Sequence, residues 1–482
     1  MNTPAANVAF NDLLFIRRAE YRATLCRAFR INDLPVEILS NILNYVCWSS
    51  PNNTIAIKWR LYVTWVCRHW RNVAIRNVTL WNAVFVNDPP YFERSLTWLE
   101  RARESVTDVR MLDTPTKRFT LECTERIVKP IIDKIAHIRS VVMVVDDWDP
   151  LIYLLKAFSL IPKDKLLPTI LHSFELHRTG SVYRLTGAGL PAEDYNISYA
   201  LFGGVKVPSL RHVAFNGVHI DWENSKISNL TTLDIRRLNL EKSPTLTRFR
   251  AILQASPDMN RILMDGGGPK YVEDRQVLAS LKPILLPKLR HLMFGDYNII
   301  YALYALSQMD IPNVVDLTLM EIFGENLSPF FALLKSKTTK LQNLTLSMKQ
   351  PIPPNSVAAV VTWLAAQKDL YFLRLRGTHK TFIESFLYDS QTMARGTGPS
   401  EHIPCPGLKY LEVHSLDTDL LSDFVEARLL MGAPLTKIYI GEHTHYSLKE
   451  EQVRNLGRLA NKHKYVDIKP LPARMKAPEA LD

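Results

Sequence analysis

The chain has 482 residues, 47% of them apolar and 22% charged, and a formal charge of +11. This length and apolar fraction exclude wholesale disorder and imply more than one ordinary domain unless the chain is repetitive. The basic excess is spread along the chain without a run of five or six like charges, so an acidic protein partner explains it as well as nucleic acid does, and nucleic-acid binding has little support.

Five cysteines, Cys26, Cys47, Cys67, Cys123 and Cys405, are scattered and form no Cys-x-x-Cys pair. Neither a disulfide framework nor a structural zinc site is expected from them. The opening "MNTPAANVAFNDLLFIRRAE" lacks a leading charge and a sustained apolar core, so it does not read as a secretory signal. The most apolar runs, such as "VVMVV" and "IIYALYAL", are far shorter than a membrane span. The expectation is a chain of the cytoplasm or nucleus with no membrane partner.

In chain order, residues 1–30 read as an N-terminal helix. Asn11 can cap it, and Leu14, Tyr21, Leu25 and Phe29 lie roughly on one side, as a packing helix requires. Residues 31–86 read as a helical block. Asp33 can cap its first helix and Pro35 suits the first turn. Leu34, Ile38, Leu39, Ile42, Leu43 and Val46 follow at three-to-four spacing. "SSPNN" interrupts the pattern at 49–53. A second helical run then carries Trp59, Tyr62, Val63, Val66, Trp70 and Val73, and ends before the strand-like "LWNAVFV".

From about residue 105 short phrases recur. "SLRHVAF", "NLTTLDI", "DMNRILM", "KLRHLMF", "NVVDLTL", "KLQNLTL", "DLYFLRL", "GLKYLEV" and "PLTKIYI" have their first apolar residues at 210, 230, 259, 289, 314, 341, 370, 408 and 435. Weaker copies begin at 106, 138 and 171, and a last one, "YVDI", ends near 468. All fit L-x-x-L-x-L with apolar substitutions, and most intervals fall at 25–30 residues. Helical segments such as "TRFRAILQAS", "NSVAAVVTWLAAQ" and "LLSDFVEARLL" lie between them, as does the capping-box sequence "SLKE" at 447–450. Strand, turn and helix at this period are the signature of a leucine-rich-repeat-like solenoid over 87–468, with a conventional parallel α/β sheet as the alternative. The tail 469–482 is expected to be disordered. The fold class is therefore α/β: a small all-helical block followed by a repeat solenoid with a parallel strand face.

Alternation along each strand sends two apolar side chains inward and the intervening residues outward. A long sheet exposed on one side suits a macromolecule. His291, Phe372, Arg374, Arg376, Tyr410, Glu412, His414 and Tyr439 are the candidate target-binding positions, because aromatic and arginine side chains dominate binding hot spots. Arg374 and Arg376 can also pair with a phosphate on the target.

Catalytic patterns are missing. The sequence contains no Walker loop, no G-x-S-x-G and no H-E-x-x-H. "DGGGP" at 265–269 lacks the Lys-Ser/Thr of a phosphate loop and reads as a turn. "DDWD" at 146–149 and the pair His443 and His445 are weak metal signals. Neither an enzyme, nor a cofactor, nor a metal site is expected.

One stretch carries a resemblance. "DLPVEILSNIL", followed in order by "VCRHWRNVA" and "LW", resembles an F-box, and "TWLERARESVTDVRML" at 97–112 resembles text that follows it in fungal F-box proteins with irregular leucine-rich repeats. The resemblance implies the substrate-recognition subunit of an SCF-type ubiquitin ligase, docked on a Skp-family adaptor and through it on a cullin scaffold, with the C-terminal domain holding a protein target. By motif position, Leu34, Pro35, Ile38, Leu39 and Leu43 would meet the adaptor, and Val66 and Trp70 would join or buttress that surface. The segment between the matched phrases, "CWSSPNNTIAIKWRLY", departs from the motif. A non-enzymatic repeat scaffold with a drifted F-box is the alternative.

Overall fold

The structure is a computed structural model and describes residues 12–22, 24, 30–49, 53–89, 92–113, 118–161, 168–180, 197–387, 404–414, 418–441 and 466–470. It divides into two units, Met1–Arg110 and Met111–Asp482.

In the first unit residues 12–22 are helical, but Leu13, Phe15, Ile16 and Tyr21 are exposed. The expected packing stripe does not form over these residues. Their apolar side chains point all round the helix at 100° steps, so no single face concentrates them. Asn11, Leu25 and Phe29 lie outside the described residues. The block proper is α1 (Val36–Trp48), α2 (Asn53–Trp65) and α3 (Arg68–Arg76). Pro35, not Asp33, occupies the N-cap of α1, with no side-chain cap, and Asp33 belongs to a preceding 3-10 turn, Ile31–Asp33. The single second run expected from the sequence is two helices. They break at Val66-Cys67, where Cys67 turns extended and its Sγ accepts from the Trp70 amide at 3.5 Å. The Cys67 thiol therefore caps a helix.

The unit extends past residue 86. After the 3-10 turn Val78–Leu80 come β1 (Ala83–Val86), α4 (Glu93–Arg101) and β2 (Thr107–Leu112), within which the division between units falls. The sequence boundary misses this because Trp98 and Leu99, far along the chain, complete the same core. The Trp98 ring lies tilted 5.4 Å from the fully buried Trp81, whose indole N–H donates to the Ala74 carbonyl at 2.9 Å.

The second unit is mixed α/β. Its main strands are β3 (Ile138–Val145), β4 (Ser173–Arg178), β5 (His212–Asn216), β6 (Thr232–Arg236), β7 (Arg261–Asp265), β9 (His291–Asn298), β11 (Asp316–Phe323), β12 (Asn343–Ser347), β13 (Phe372–Arg376), β14 (Tyr410–His414), β15 (Lys437–Ile440) and β16 (Asp467–Pro470). Two short strands, β8 (Ile284–Leu285) and β10 (Met309–Asp310), pair with each other apart from that sheet. The main strands lie side by side in chain order and pair in parallel. A doubly wound sheet would reverse its strand order once, and this one does not among the described strands.

The register follows the repeated phrases. Thr232 pairs with Arg261, Arg261 with His291, His291 with Asp316, Asp316 with Asn343, Asn343 with Phe372, Phe372 with Tyr410 and Tyr410 with Lys437. These offsets equal the intervals between the leading apolar residues. The consequence is a pair of continuous inward rows. One runs Phe174, Val213, Leu233, Ile262, Leu292, Leu317, Leu344, Leu373, Leu411 and Ile438, and all ten are buried. A one-residue slip would turn a whole row outward, so the pattern fixes the pairing.

The helices of this unit are α5 (Leu121–Asp133), α6 (Trp148–Ser159), α7 (Leu246–Gln254), α8 (Arg275–Ser280), α9 (Ile299–Ser307), α10 (Ser328–Lys337), α11 (Val357–Ala365), α12 (Lys380–Glu384) and α13 (Thr418–Leu430), of which α5–α7 and α9–α13 bury apolar side chains. The "SLKE" segment and residues 471–482 lie outside the described residues. The "DGGGP" turn follows β7 and is clamped by a tyrosine cluster. Tyr301 donates to the Pro269 carbonyl at 2.7 Å, Tyr304 to that of Lys270 at 2.5 Å, and Tyr297 to that of Gly267. Gly268 has φ +151°, and a Cβ there would lie 2.8 Å from the Tyr301 hydroxyl. Glycine is required here by the close approach of a side chain.

Candidate interaction surfaces

On α1, Leu39, Leu43 and Cys47 recur every fourth residue and are fully buried, so they form the inward stripe. Leu39 and Leu43 are therefore not available to a partner, and this corrects their placement on the adaptor surface. The opposite side of α1 presents Ile38 at 47% exposure and Tyr45 at 79%; Pro35 is exposed and Leu34 half-buried. At the end of α2, Tyr62 and Trp65 are exposed with ring centroids 5.6 Å apart, and Val66 is exposed beside them. Trp70 is half-buried and donates to the Asn32 Oδ1 at 2.8 Å. Tyr45, Tyr62 and Trp65 were not among the predicted site residues. The three-residue step from Tyr62 to Trp65 signals a shared face only once the break at Val66-Cys67 is known.

Beneath this face lies a buried cation. Arg60 of α2 is fully enclosed, with its guanidinium 4.6 Å from the Trp48 ring and 4.5 Å from that of Trp98. It donates to the Ala83 carbonyl at 2.7 Å, to Leu80 at 3.4 Å and to Ala56 at 3.3 Å. Burial pulls its pKa down to about 10, against the pull of Cys47, and burial pushes the Cys47 thiol up to about 11. Within the segment that departs from the F-box pattern, residues 53–62 belong to α2, with Ala56, Ile57 and Arg60 buried. Composition could not show that one of its charges is a core residue.

The second surface is the outer side of the sheet. Alternation brings Phe372, Arg374 and Arg376 of β13 beside Tyr410, Glu412 and His414 of β14, and Glu412 beside Tyr439 of β15. His291 is exposed on β9, separated from β13 by β11 and β12, with Nδ1 3.4 Å from Asp316. Glu412 is 2% exposed and accepts from Arg374 Nε at 2.8 Å and from His414 Nε2 at 2.7 Å. It organises its neighbours and is not itself presented to a target, which corrects its place among the candidate contacts. Burial raises the Glu412 pKa, but the bonds from His414 and Arg374 outweigh burial and hold it below the usual range.

The same logic recurs at the other end of the sheet. Glu175 lies 3.3 Å from His177 Nε2 and 3.8 Å from His212 Nε2, and accepts from Ser173 Oγ at 2.8 Å. Burial opposes ionisation, yet these partners pull its pKa down to about 2. Asp234 accepts both bonds of an Arg236 fork at 2.7 Å each.

Among the described residues no group of three or more His, Cys, Asp or Glu side chains could hold a metal ion. His443 and His445 lie outside them. Asp146 of "DDWD" pairs instead with Arg118 at 2.8 Å. No described helix is long and apolar enough to cross a membrane. No family model matches the chain, and no curated protein matches it.

Proposed function

We propose that the chain is a non-enzymatic substrate receptor of an SCF-type ubiquitin ligase, acting in the cytoplasm or nucleus. Its N-terminal helical block docks as an F-box on a Skp-family adaptor, and a leucine-rich-repeat-like sheet face takes a protein target. One observation carries this reading. Of the 28 large apolar residues exposed among the described residues, 14 fall between Leu13 and Val66; Ile38 and Val66 of the F-box-like phrases are among these 14, and Pro35 is exposed as well. Fully burying one such side chain is worth about 1.5–3 kcal/mol, so a few of them sealed by a partner outweigh any rim charge pair.

The test is co-expression with a Skp-family adaptor and purification through a tag on this chain. Wild type retains the adaptor; Pro35→Ala with Ile38→Asp loses it while the melting curve stays unchanged. Equal retention by both proteins overturns the docking assignment.

The burial of Leu39 and Leu43 favours a second reading, in which the F-box has drifted and the block serves only as part of a scaffold. In that case no adaptor co-purifies with wild type.

A further inference from the structure

The outer sheet face compensates nearly every charge it carries. His177 and His212 stand beside Glu175, Arg236 beside Asp234, His291 beside Asp316, Arg374 and His414 beside Glu412, and Lys437 lies 3.6 Å from Asp467. Arg261 also has a partner. Arg376 differs. Among the described basic residues of β4–β15 on this face, it alone has neither hydrogen bond nor ion pair, and it is half-buried in register with His414. Partial burial of an uncompensated guanidinium is unfavourable, and an incoming anion relieves it.

At the start of β13 the character changes, around Phe372, with Tyr371 just before the strand and Tyr410 across from Phe372 on β14. Tyr371 and Tyr410 are 42% and 36% exposed, with their rings 6.2 Å apart and nearly perpendicular, and Phe372 lies beside them. At about 3.3 Å per residue, Phe372 and Arg376 are about 13 Å apart along the strand. An extended peptide spans that distance in four residues.

We propose that this part of the face binds an acidic peptide segment of the target in extended form, with an Asp or Glu on Arg376 and an apolar or aromatic residue four positions away on the tyrosine pair. The charge count selects a carboxylate over a phosphate. One guanidinium is uncommitted, because Arg374 already holds Glu412, and one free positive charge matches one carboxylate. The inference rests on the reading of the sheet face as the target surface, but not on adaptor docking.

The test is selection of a random displayed 12-residue peptide library against the full-length chain, with no adaptor present. Enriched peptides carry Asp or Glu four residues from an apolar side chain. Arg376→Gln weakens the synthetic winners by at least about tenfold, as expected for loss of a charge-assisted bond, and Lys335→Gln, on the exposed side of α10, leaves them unchanged. Failure to enrich any peptide, winners without an acidic residue, indifference to Arg376→Gln, or tighter binding when the acid is replaced by phosphoserine each overturns the proposal. Adaptor retention in the co-purification together with any of these outcomes leaves the ligase reading standing and removes only this one.

Discussion

The helical block and the sheet face leave opposite things unmet. The block hides a charge and exposes carbon: Arg60 is sealed between Trp48 and Trp98 while Tyr45, Trp65 and Ile38 meet solvent. The sheet face displays charge, but pairs nearly all of it, down to the buried Glu412, and exposes carbon chiefly at Tyr371 and Tyr410. A partner of the block gains chiefly by covering apolar area, which is non-directional and tolerant of salt. A partner of the sheet must match a nearly satisfied pattern of donors and acceptors, which favours selectivity over raw affinity.

The sharpest way to break this contrast is at Arg60. Arg60→Ala opens a void between two indole rings and strips the donors from three carbonyls. A loss of about 3–5 kcal/mol is expected in urea denaturation of the full chain. An unchanged midpoint would show that the buried cation contributes nothing. Leu43→Ala follows, with about 3 kcal/mol expected from the inward stripe of α1, read from the same midpoint.

Arg374→Gln tests the sheet. It removes one of two cationic partners from a buried carboxylate and should cost about 1–3 kcal/mol, measured by thermal unfolding at neutral pH. Acid titration sharpens the same point. The Glu175 carboxyl is depressed in the fold to about 2 from 4.5, so its stabilisation is complete above pH 4.5 and fades as pH falls toward about 2. Glu175→Gln should flatten that part of the stability curve, and a wild-type slope in the variant would contradict the assignment. The smallest effect is expected at Ile38→Ala, within about 0.5 kcal/mol in the isolated chain, since the side chain is already half in water.

Much of the second unit was legible beforehand. Intervals between leading apolar residues equal the observed strand offsets because inward packing fixes register, and that packing is written in residue type. The break at Cys67 was not legible, because a thiol standing in as a helix cap has no compositional mark. The two sides of α1 were merged for a similar reason. Leu34, Ile38, Leu39 and Leu43 share one apolar pattern, and only the location of α2 and α3 decides which of them face inward. Glu412 was placed on the outward side correctly by alternation, but its burial depends on neighbours whose identity alternation does not give. At Arg60 the sequence shows an ordinary charge in an amphipathic helix; its enclosure depends on Trp98, 38 residues downstream.

The in-order sheet carries a mechanical corollary. Among the described strands, each interior strand of the main sheet is bonded only to the main-sheet strands before and after it in the chain, so no strand of that sheet staples distant parts of the polypeptide together. Tension applied to the C-terminal end would peel Asp467–Pro470 from Lys437–Ile440 first and leave the remainder intact, much as a zip opens one tooth at a time. Damage to one rung stays near that rung, and a protease that reaches Asp467–Pro470, the last described strand, need not unravel the rest.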